Sequence, residues 1–144
     1  MNTIVCKLCV LAVLVGAMGV GIADGQIATS LTFKAPSSFV AGDATFPGGS
    51  YVITPSETTE DMSTLQISSA DGFHSALVET RVGESETPAK STQLVFRKYG
   101  DLLCLHRIAL RDQTYAYVVI IGDAEKEAAK AGPPTELTVE GTLK

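Results

Sequence analysis

The stretch of residues 91–121 constrains the fold of this chain more than any other segment. It holds three apolar runs, at residues 91–98, 102–108 and 115–121. Turn-forming residues separate the runs, Tyr99-Gly100-Asp101 in the first gap and Arg111 to Gln113 in the second. Short apolar runs joined by tight turns are typical of antiparallel strands. The stretch therefore predicts a three-stranded meander at the centre of a small β domain.

Other strand signals recur along the chain at intervals of about 8–15 residues, with turns between them. Residues 31–34, 51–54, 64–68 and 73–80 have strand patterns, and we expect Pro55 to end the second of them. Asp71-Gly72 predicts a type I′ hairpin turn between the last two. We therefore predict an all-β fold, an antiparallel β-sandwich or a partly open β-barrel of about seven to eight strands.

One short helix is predicted near the C-terminus. Asp123 is placed to act as its N-cap, and Gly132 followed by Pro133-Pro134 stops it. The helix has no side chain larger than Ala to bury, so we expect it to lie on the surface. Residues 137–139 form either a last strand or part of a flexible tail. We thus expect a β domain at residues 26–122 and a short helix with a C-terminal tail at residues 123–144.

The N-terminal segment has the pattern of a secretory signal peptide. Lys7 precedes an apolar run that ends in small residues before Asp24. Cleavage after Gly25 fits best, and cleavage after Ala23 and retention as a membrane anchor are the alternatives. We therefore expect residues 1–25 to be removed and the protein to be periplasmic or secreted, with no membrane association after cleavage.

Composition excludes some partners of the mature chain. Hydrophobic residues make up 45% of the sequence, which is enough for a packed core, although Trp is absent. Removal of residues 1–25 takes away Lys7 and Asp24 and leaves the net charge at −5. A mildly acidic chain is a poor match for nucleic-acid phosphate or anionic lipid. An unidentified protein or small molecule remains as the partner, and the oligomeric state stays open.

Cysteine and histidine residues are the main candidates for metal chemistry. Cys6 and Cys9 form a C-x-x-C pattern, but both lie in the expected signal segment, so only Cys104 remains afterwards. Cys104 and His106 are two apart on a strand and therefore share a face, and His74 is a possible third ligand. The alternative is that Cys104 is a buried apolar residue and His106 lies at the rim of the core. We predict no cofactor and keep these three residues as weak metal candidates.

Asp71, His74 and Ser75 have the residue types of a catalytic triad. Triads are recognised by geometry, however, and the sequence around Ser75 is not that of a nucleophile elbow. A role for Asp71 in the turn is the preferred interpretation.

Carboxylates are concentrated in two polar loops. Glu57, Glu60 and Asp61 are oxygen ligands that Ca²⁺ accepts, but their spacing differs from that of an EF-hand, so a solvated loop is preferred. Glu84 and Glu86 have the residue types of a glycosidase pair. Without Trp or aromatic sugar platforms nearby, a polar loop is again the preferred interpretation.

Two further pairs have a structural and a binding interpretation. Tyr115 and Tyr117 share a strand face, where they either stack on a ligand or fill the core. Arg97 and Arg107 flank the turn that contains Asp101 and form either a carboxylate site or a surface ion pair.

Several phrases together carry a resemblance to a protein group. They are Leu31-Thr-Phe33, Pro36 with Phe39 and Gly42, Phe46-Pro-Gly-Gly-Ser-Tyr51, Ser69-Ala-Asp-Gly72, and Leu94-Val-Phe-Arg-Lys-Tyr-Gly-Asp101 with Leu105. Their order and spacing resemble small uncharacterised secreted proteins of soil bacteria, especially acidobacterial lineages. The resemblance covers roughly residues 30–130 and implies a signal peptide, an all-β domain and a charged, helix-prone tail. It implies no activity and no site residues.

These observations favour a non-catalytic exported envelope or binding module. A small barrel that carries an apolar ligand is one alternative. A structural protein that self-associates through edge strands is another.

Overall fold

The computed structural model describes residues 30–58 and 62–144. Their ten strands and one helix are, in chain order, β1 (Leu31–Ala35), β2 (Phe39–Ala41), β3 (Ala44–Phe46), β4 (Gly49–Thr58), β5 (Met62–Ser69), β6 (Ser75–Glu84), β7 (Gln93–Tyr99), β8 (Leu102–Ala109), β9 (Tyr115–Val119), α1 (Asp123–Lys130) and β10 (Thr135–Leu143). Within the described residues, no helix has the length and apolar composition that a membrane span requires.

Eight of the strands close into an antiparallel barrel in the order β8-β7-β10-β1-β4-β5-β6-β9, and β9 pairs back onto β8. The predicted all-β antiparallel fold with one short C-terminal helix is confirmed, and of the two predicted architectures the structure has the barrel. The predicted meander is confirmed as β7, β8 and β9, with Gly100 at a φ of 60° in its first turn.

The small hairpin β2–β3 is an addition to the barrel wall. Val40 of β2 pairs in parallel with Cys104 of β8, on the edge where β9 pairs with residues 107–109 farther along. Its two aromatic side chains, Phe39 and Phe46, pack onto rings of the barrel strands. The ring-centroid distances are 5.6 Å from Phe39 to Phe96 and 5.5 Å from Phe46 to Tyr51. Aromatic pairs at these distances add about 0.5–1.5 kcal/mol each beyond burial.

Strand β4 corrects the prediction that Pro55 ends a strand. The strand continues from Gly49 to Thr58, and its pairing with β5 shifts register between Pro55 and Glu57. A bulge tolerates proline because the ladder is already interrupted there.

The loop between β5 and β6 corrects the predicted type I′ turn. Gly72 has a φ of 81°, but Asp71 does not have the positive φ that the first central position of such a turn requires. The strands are joined instead through residues 70–74, where the side chain of Asp71 accepts the N–H of Phe73 at 2.9 Å.

The N-terminus of α1 corrects the prediction that Asp123 is the N-cap. Gly122 occupies that position and Asp123 is the first helical residue. The cap is supplied from a distant turn, because Asp43 Oδ1 accepts the N–H of Asp123 at 3.2 Å.

The C-terminal segment is part of the barrel. Of the two predicted alternatives for residues 137–139, a last strand or a flexible tail, the structure has the strand. Strand β10 lies between β1 and β7, with Leu137 opposite Phe96 and Leu143 opposite Leu31. Residues 123–144 therefore contribute a wall strand to the same sheet as the expected β domain of residues 26–122.

Candidate functional site

Cys104 lies on the outer face of β8, beneath helix α1. Its neighbours Leu103 and Leu105 belong to the barrel core, so the intervening side chain points outward. Cys104 is 1% exposed, and Glu125 of α1 is 3% exposed. The hydroxyl of Tyr99 donates a hydrogen bond to Glu125 Oε1 at 3.0 Å. A buried carboxylate thus joins the helix to the β7–β8 hairpin.

Burial makes the Cys104 thiol a weak acid. It raises the pKa of the thiol to about 11, and the charge of Glu125 acts in the same direction. Because the thiolate is the form that attacks electrophiles and binds metals, a thiol that stays protonated at neutral pH is a poor nucleophile and ligand. The geometry supports the interpretation of Cys104 as a buried apolar residue.

His106 lies at a bulge in β8. The register with β7 passes from Arg107 opposite Val95 to Leu105 opposite Phe96, so His106 has no partner residue on β7. The bulge interrupts the strict alternation from which a face shared with Cys104 was predicted. The side chain is half-buried, and its Nδ1 atom has no hydrogen-bond partner among the described residues.

Several groups around His106 affect its ionisation. Burial lowers the pKa of the imidazole, and the guanidinium groups of Arg97 and Arg107 lower it further, against an opposing effect of Glu136. The imidazole is therefore neutral at pH 7, which leaves its nitrogens able to accept a hydrogen bond.

His74 lies in the exposed loop between β5 and β6. Its backbone N–H donates to Ser69 Oγ at 3.0 Å, and its carbonyl accepts the N–H of Ser69. Among residues 30–58 and 62–144, no three His, Cys, Asp or Glu side chains are arranged to hold a metal ion. The structure thus does not assemble His74 with Cys104 and His106 into a ligand set.

Asp71 and Ser75 bind other partners than His74. Asp71 Oδ1 accepts Ser69 Oγ at 2.5 Å, and this bond, followed by the one from the Phe73 N–H, holds the pKa of Asp71 below its ordinary value. The hydroxyl of Ser75 lies 3.1 Å from both Gln66 Nε2 and Ser68 Oγ. These side chains stabilise the loop and the adjoining strands, which supports the turn role preferred for Asp71.

The acidic loops are only partly described. Glu60 and Asp61 lie outside the described residues, and Glu57 lies in β4 next to its bulge. Glu84 ends β6 opposite Tyr115, and Glu86 follows it in the next loop, with both side chains exposed.

Arg97 and Arg107 lie on neighbouring strands near His106. Arg97 is opposite Cys104 on one side and Glu136 on the other, and Arg107 is opposite Val95. The ion pairs found within the described part of the chain are Arg111–Asp112 and Lys130–Glu127. The surface ion pair predicted between Asp101 and one of these arginines is thus not among them.

The barrel interior is packed with the side chains of the core, and a small apolar cavity lies among them. Tyr115 and Tyr117 pack edge to face, with ring centroids 5.9 Å apart, against the core. The cavity has a volume of about 40 Å³ and lies where β1 begins and β10 ends. Its lining residues are Leu31, Ile53, Pro55, Leu65, Ile108, Leu110, Tyr117 and Leu143. Pockets for drug-sized ligands are several-fold larger, about 300–1,000 Å³.

An open groove of about 720 Å³ lies on the outside of the barrel. One side is formed by residues 77–79 of β6 together with Ser56 of β4 and Thr64 of β5, and the other by the turn of residues 41–44 between β2 and β3. Ile120 and Ile121, which follow β9, lie between them. The sequence analysis missed this groove because residues 115–121 predicted one continuous strand. In the structure β9 ends at Val119 and leaves part of β6 uncovered.

Comparison with protein-family models, with curated proteins and with solved structures finds no match to this chain.

Proposed function

We propose that this protein is a non-catalytic exported binding module that binds its partner on the outside of the barrel. The observation that carries the proposal is the contrast between the two spaces. The interior holds a cavity of about 40 Å³, whereas the outer groove has about 720 Å³. The outer groove therefore has room for a ligand of ordinary size, whereas this cavity does not.

The side chains considered for catalysis support a binding role. Asp71 and Ser75 are held in loop and strand hydrogen bonds, and Cys104 is a buried thiol of raised pKa. None of these arrangements supplies an activated nucleophile next to a base. We propose that the purified protein turns over none of a broad panel of hydrolase substrates. Turnover that a single side-chain substitution abolishes would contradict the proposal.

Export is the second part of the proposal. It rests on the signal-peptide pattern of residues 1–25 and on the resemblance to small secreted all-β proteins. Intact mass measurement of the protein recovered from the periplasm or medium tests it. The expected mass is that of a chain beginning at Gln26, and a protein retained in the cytoplasm at full mass would contradict export.

The alternative function is that of a carrier of an apolar ligand. Native mass spectrometry distinguishes such a carrier from a protein that binds its partner on the outer surface. The protein purified from its own host is expected to have the mass of the polypeptide alone. A co-purifying apolar molecule that is lost on replacing Leu65→Phe, which fills the cavity, would favour the carrier instead.

Self-association is a second candidate, favoured by the uncovered part of β6. Residues 75–78 pair with β5 on one side only, and unpaired edges are the usual route for strand pairing between chains. The mass in solution, measured by light scattering over a concentration series, tests this candidate.

A further inference from the structure

We infer that the outer groove binds an extended peptide segment of a partner protein, which adds as a strand to the free edge of β6 and directs a basic side chain at Asp43 and Glu79. This inference rests on the proposed binding function and names the class of partner.

The free edge of β6 consists of residues 75–78. Strand β5 pairs with β6 along these residues, whereas β9 pairs only with Thr80 to Glu84 on the other side. The last bond on that side runs from the N–H of Ile120 to the carbonyl of Glu79. In an antiparallel sheet the backbone groups of every second residue point to the same side. The N–H and C=O of Leu77 therefore point into the groove, where the described chain has no strand to pair with them.

The length of this edge suits a short extended segment. Four residues of strand span about 14 Å at about 3.4 Å per residue. A peptide added here would receive backbone hydrogen bonds from β6 and apolar contact from side chains in the groove. Leu77 is 63% exposed and Ile121 is 39% exposed, so both have apolar surface left to bury. An unpaired edge beside such side chains matches the strand-addition mode of peptide recognition.

The charges of the groove select the partner. Asp43 lies on one side of the groove and Glu79 on the other, and both side chains are exposed. A lysine or arginine between them is attracted to both carboxylates. A second copy of this chain would bring the same two acidic groups and the same net charge of −5. Charge complementarity therefore favours a basic segment of another protein over self-pairing.

Fluorescence anisotropy with three synthetic peptides tests the inference on the purified full chain. The first peptide alternates Val and Thr over seven residues with a central Lys. The second has Glu in place of the Lys. The third keeps the Lys but has methylated backbone nitrogens on the edge that would face β6. We expect the first to bind, the second to bind about tenfold more weakly, and the third to lose binding because it cannot complete the ladder.

Two variants locate the binding site. Leu77→Ser is expected to weaken binding of the lysine peptide about tenfold, because it removes apolar surface on one side of the groove without changing the charge. Phe73→Ser is the matched control. Phe73 is 84% exposed on the same hairpin but is not among the residues that line the groove, so its loss should leave binding unchanged. Thermal unfolding of both variants shows that each is folded.

The outcomes separate this inference from the proposed function. Equal binding of the methylated peptide, or unchanged binding to Leu77→Ser, would overturn strand addition and leave an outer-surface binder in place. A dimer in solution that Leu77→Ser converts to a monomer would overturn it in favour of self-pairing. Substrate turnover or a bound apolar ligand, by contrast, would overturn the proposed function itself.

Discussion

Cys104 illustrates how tertiary structure changes the chemistry of a single residue. In the sequence it is a potential metal ligand and nucleophile. In the fold it is covered by α1 and lies near the carboxylate of Glu125, so the form that would react is disfavoured. The sequence predicted a buried apolar cysteine as one alternative. It could not choose between the alternatives, because the covering helix comes from a segment about twenty residues later.

The alkaline pH dependence of stability follows from this burial. The pKa of Cys104 is raised from 9.0 to about 11 in the folded state, so folding favours the protonated thiol. The stabilisation that the buried thiol provides is complete below pH 9 and is lost as the pH rises toward 11. In the parent protein the free energy of unfolding should therefore fall by about 2–3 kcal/mol over this window on account of Cys104. We expect this fall to be absent from Cys104→Ala. Urea unfolding at several pH values measures it.

The tyrosines provide the internal control for that experiment. Burial also raises the pKa of Tyr51 and of Tyr117, so the parent and the variant should share the decrease that these side chains cause. Identical pH profiles of the two proteins would show that Cys104 contributes nothing.

Gly122 is required by close approach of two backbone segments. A Cβ atom at this position would collide with the carbonyl oxygen of Gly42 and with the side chain of Asp43. We expect Gly122→Ala to lower the free energy of unfolding by about 1–3 kcal/mol, because the turn and the helix must separate. Chemical denaturation measures this loss. Ala124→Gly, at an exposed position of the same helix, is expected to cost no more than about 1 kcal/mol.

At the scale of elements, α1 is defined more by its neighbours than by its own sequence. Its position was predicted from the run of Ala, Glu and Lys before Gly132. Its N-terminal hydrogen bond was not, because the acceptor is Asp43, 80 residues earlier. Its single buried side chain is Glu125, which a sequence pattern would place in solvent. Pairing with the Tyr99 hydroxyl makes that burial tolerable.

Removing the Tyr99 hydroxyl tests how firmly the helix is held. We expect Tyr99→Phe to cost about 1–2 kcal/mol, because Glu125 loses its buried donor. The thiol of Cys104 should then react faster with a maleimide at pH 7.5, as the helix opens more often over it. A chain that begins at Gln26 has Cys104 as its one thiol, and an uncleaved chain needs Cys6→Ser and Cys9→Ser for this measurement.

Glu127→Gln is the control for this experiment. It removes the ion pair with Lys130 on the exposed face of the same helix, which should change stability by no more than about 0.5 kcal/mol and leave the labelling rate unchanged. Equal labelling of Tyr99→Phe and Glu127→Gln would contradict a holding role for the Tyr99–Glu125 bond.

At the scale of the whole molecule, β10 decides whether the barrel closes. It lies between β1 and β7, and without it both of these strands would have an unpaired edge. The strand signal of this segment is weak in the sequence, because it has only two apolar residues, Leu137 and Val139, which a threonine separates and glutamates flank. Its paired residues lie between 37 (Thr135–Lys98) and 112 (Leu31–Leu143) positions apart in the chain, which is information that a local pattern does not contain.

A pair of neighbouring substitutions tests this closing role. Val139 packs against the core and lies opposite Leu94, whereas Thr138 faces outward. We expect Val139→Asn to lower the free energy of unfolding by about 2–3 kcal/mol, because it places an amide against the core. Thr138→Asn should change it by no more than about 0.5 kcal/mol. Denaturant titration of both proteins measures the difference, and equal losses would show that β10 lies only loosely on the barrel.

Local patterns in the sequence determined the fold class, the meander and the helix, because alternation, turn residues and helix stops act over a few positions. They placed β7, β8 and β9 and the turn at Gly100 from residues that are adjacent in the chain. Only the tertiary structure decided that the sheet closes, that Phe39 and Phe46 pack against the barrel, and that residues 75–78 have one paired edge. These features depend on contacts between distant segments, whose pairing is set by the packing of the whole core. The groove is the clearest case. It exists because β9 ends at Val119, opposite Thr80, and does not extend along the first residues of β6.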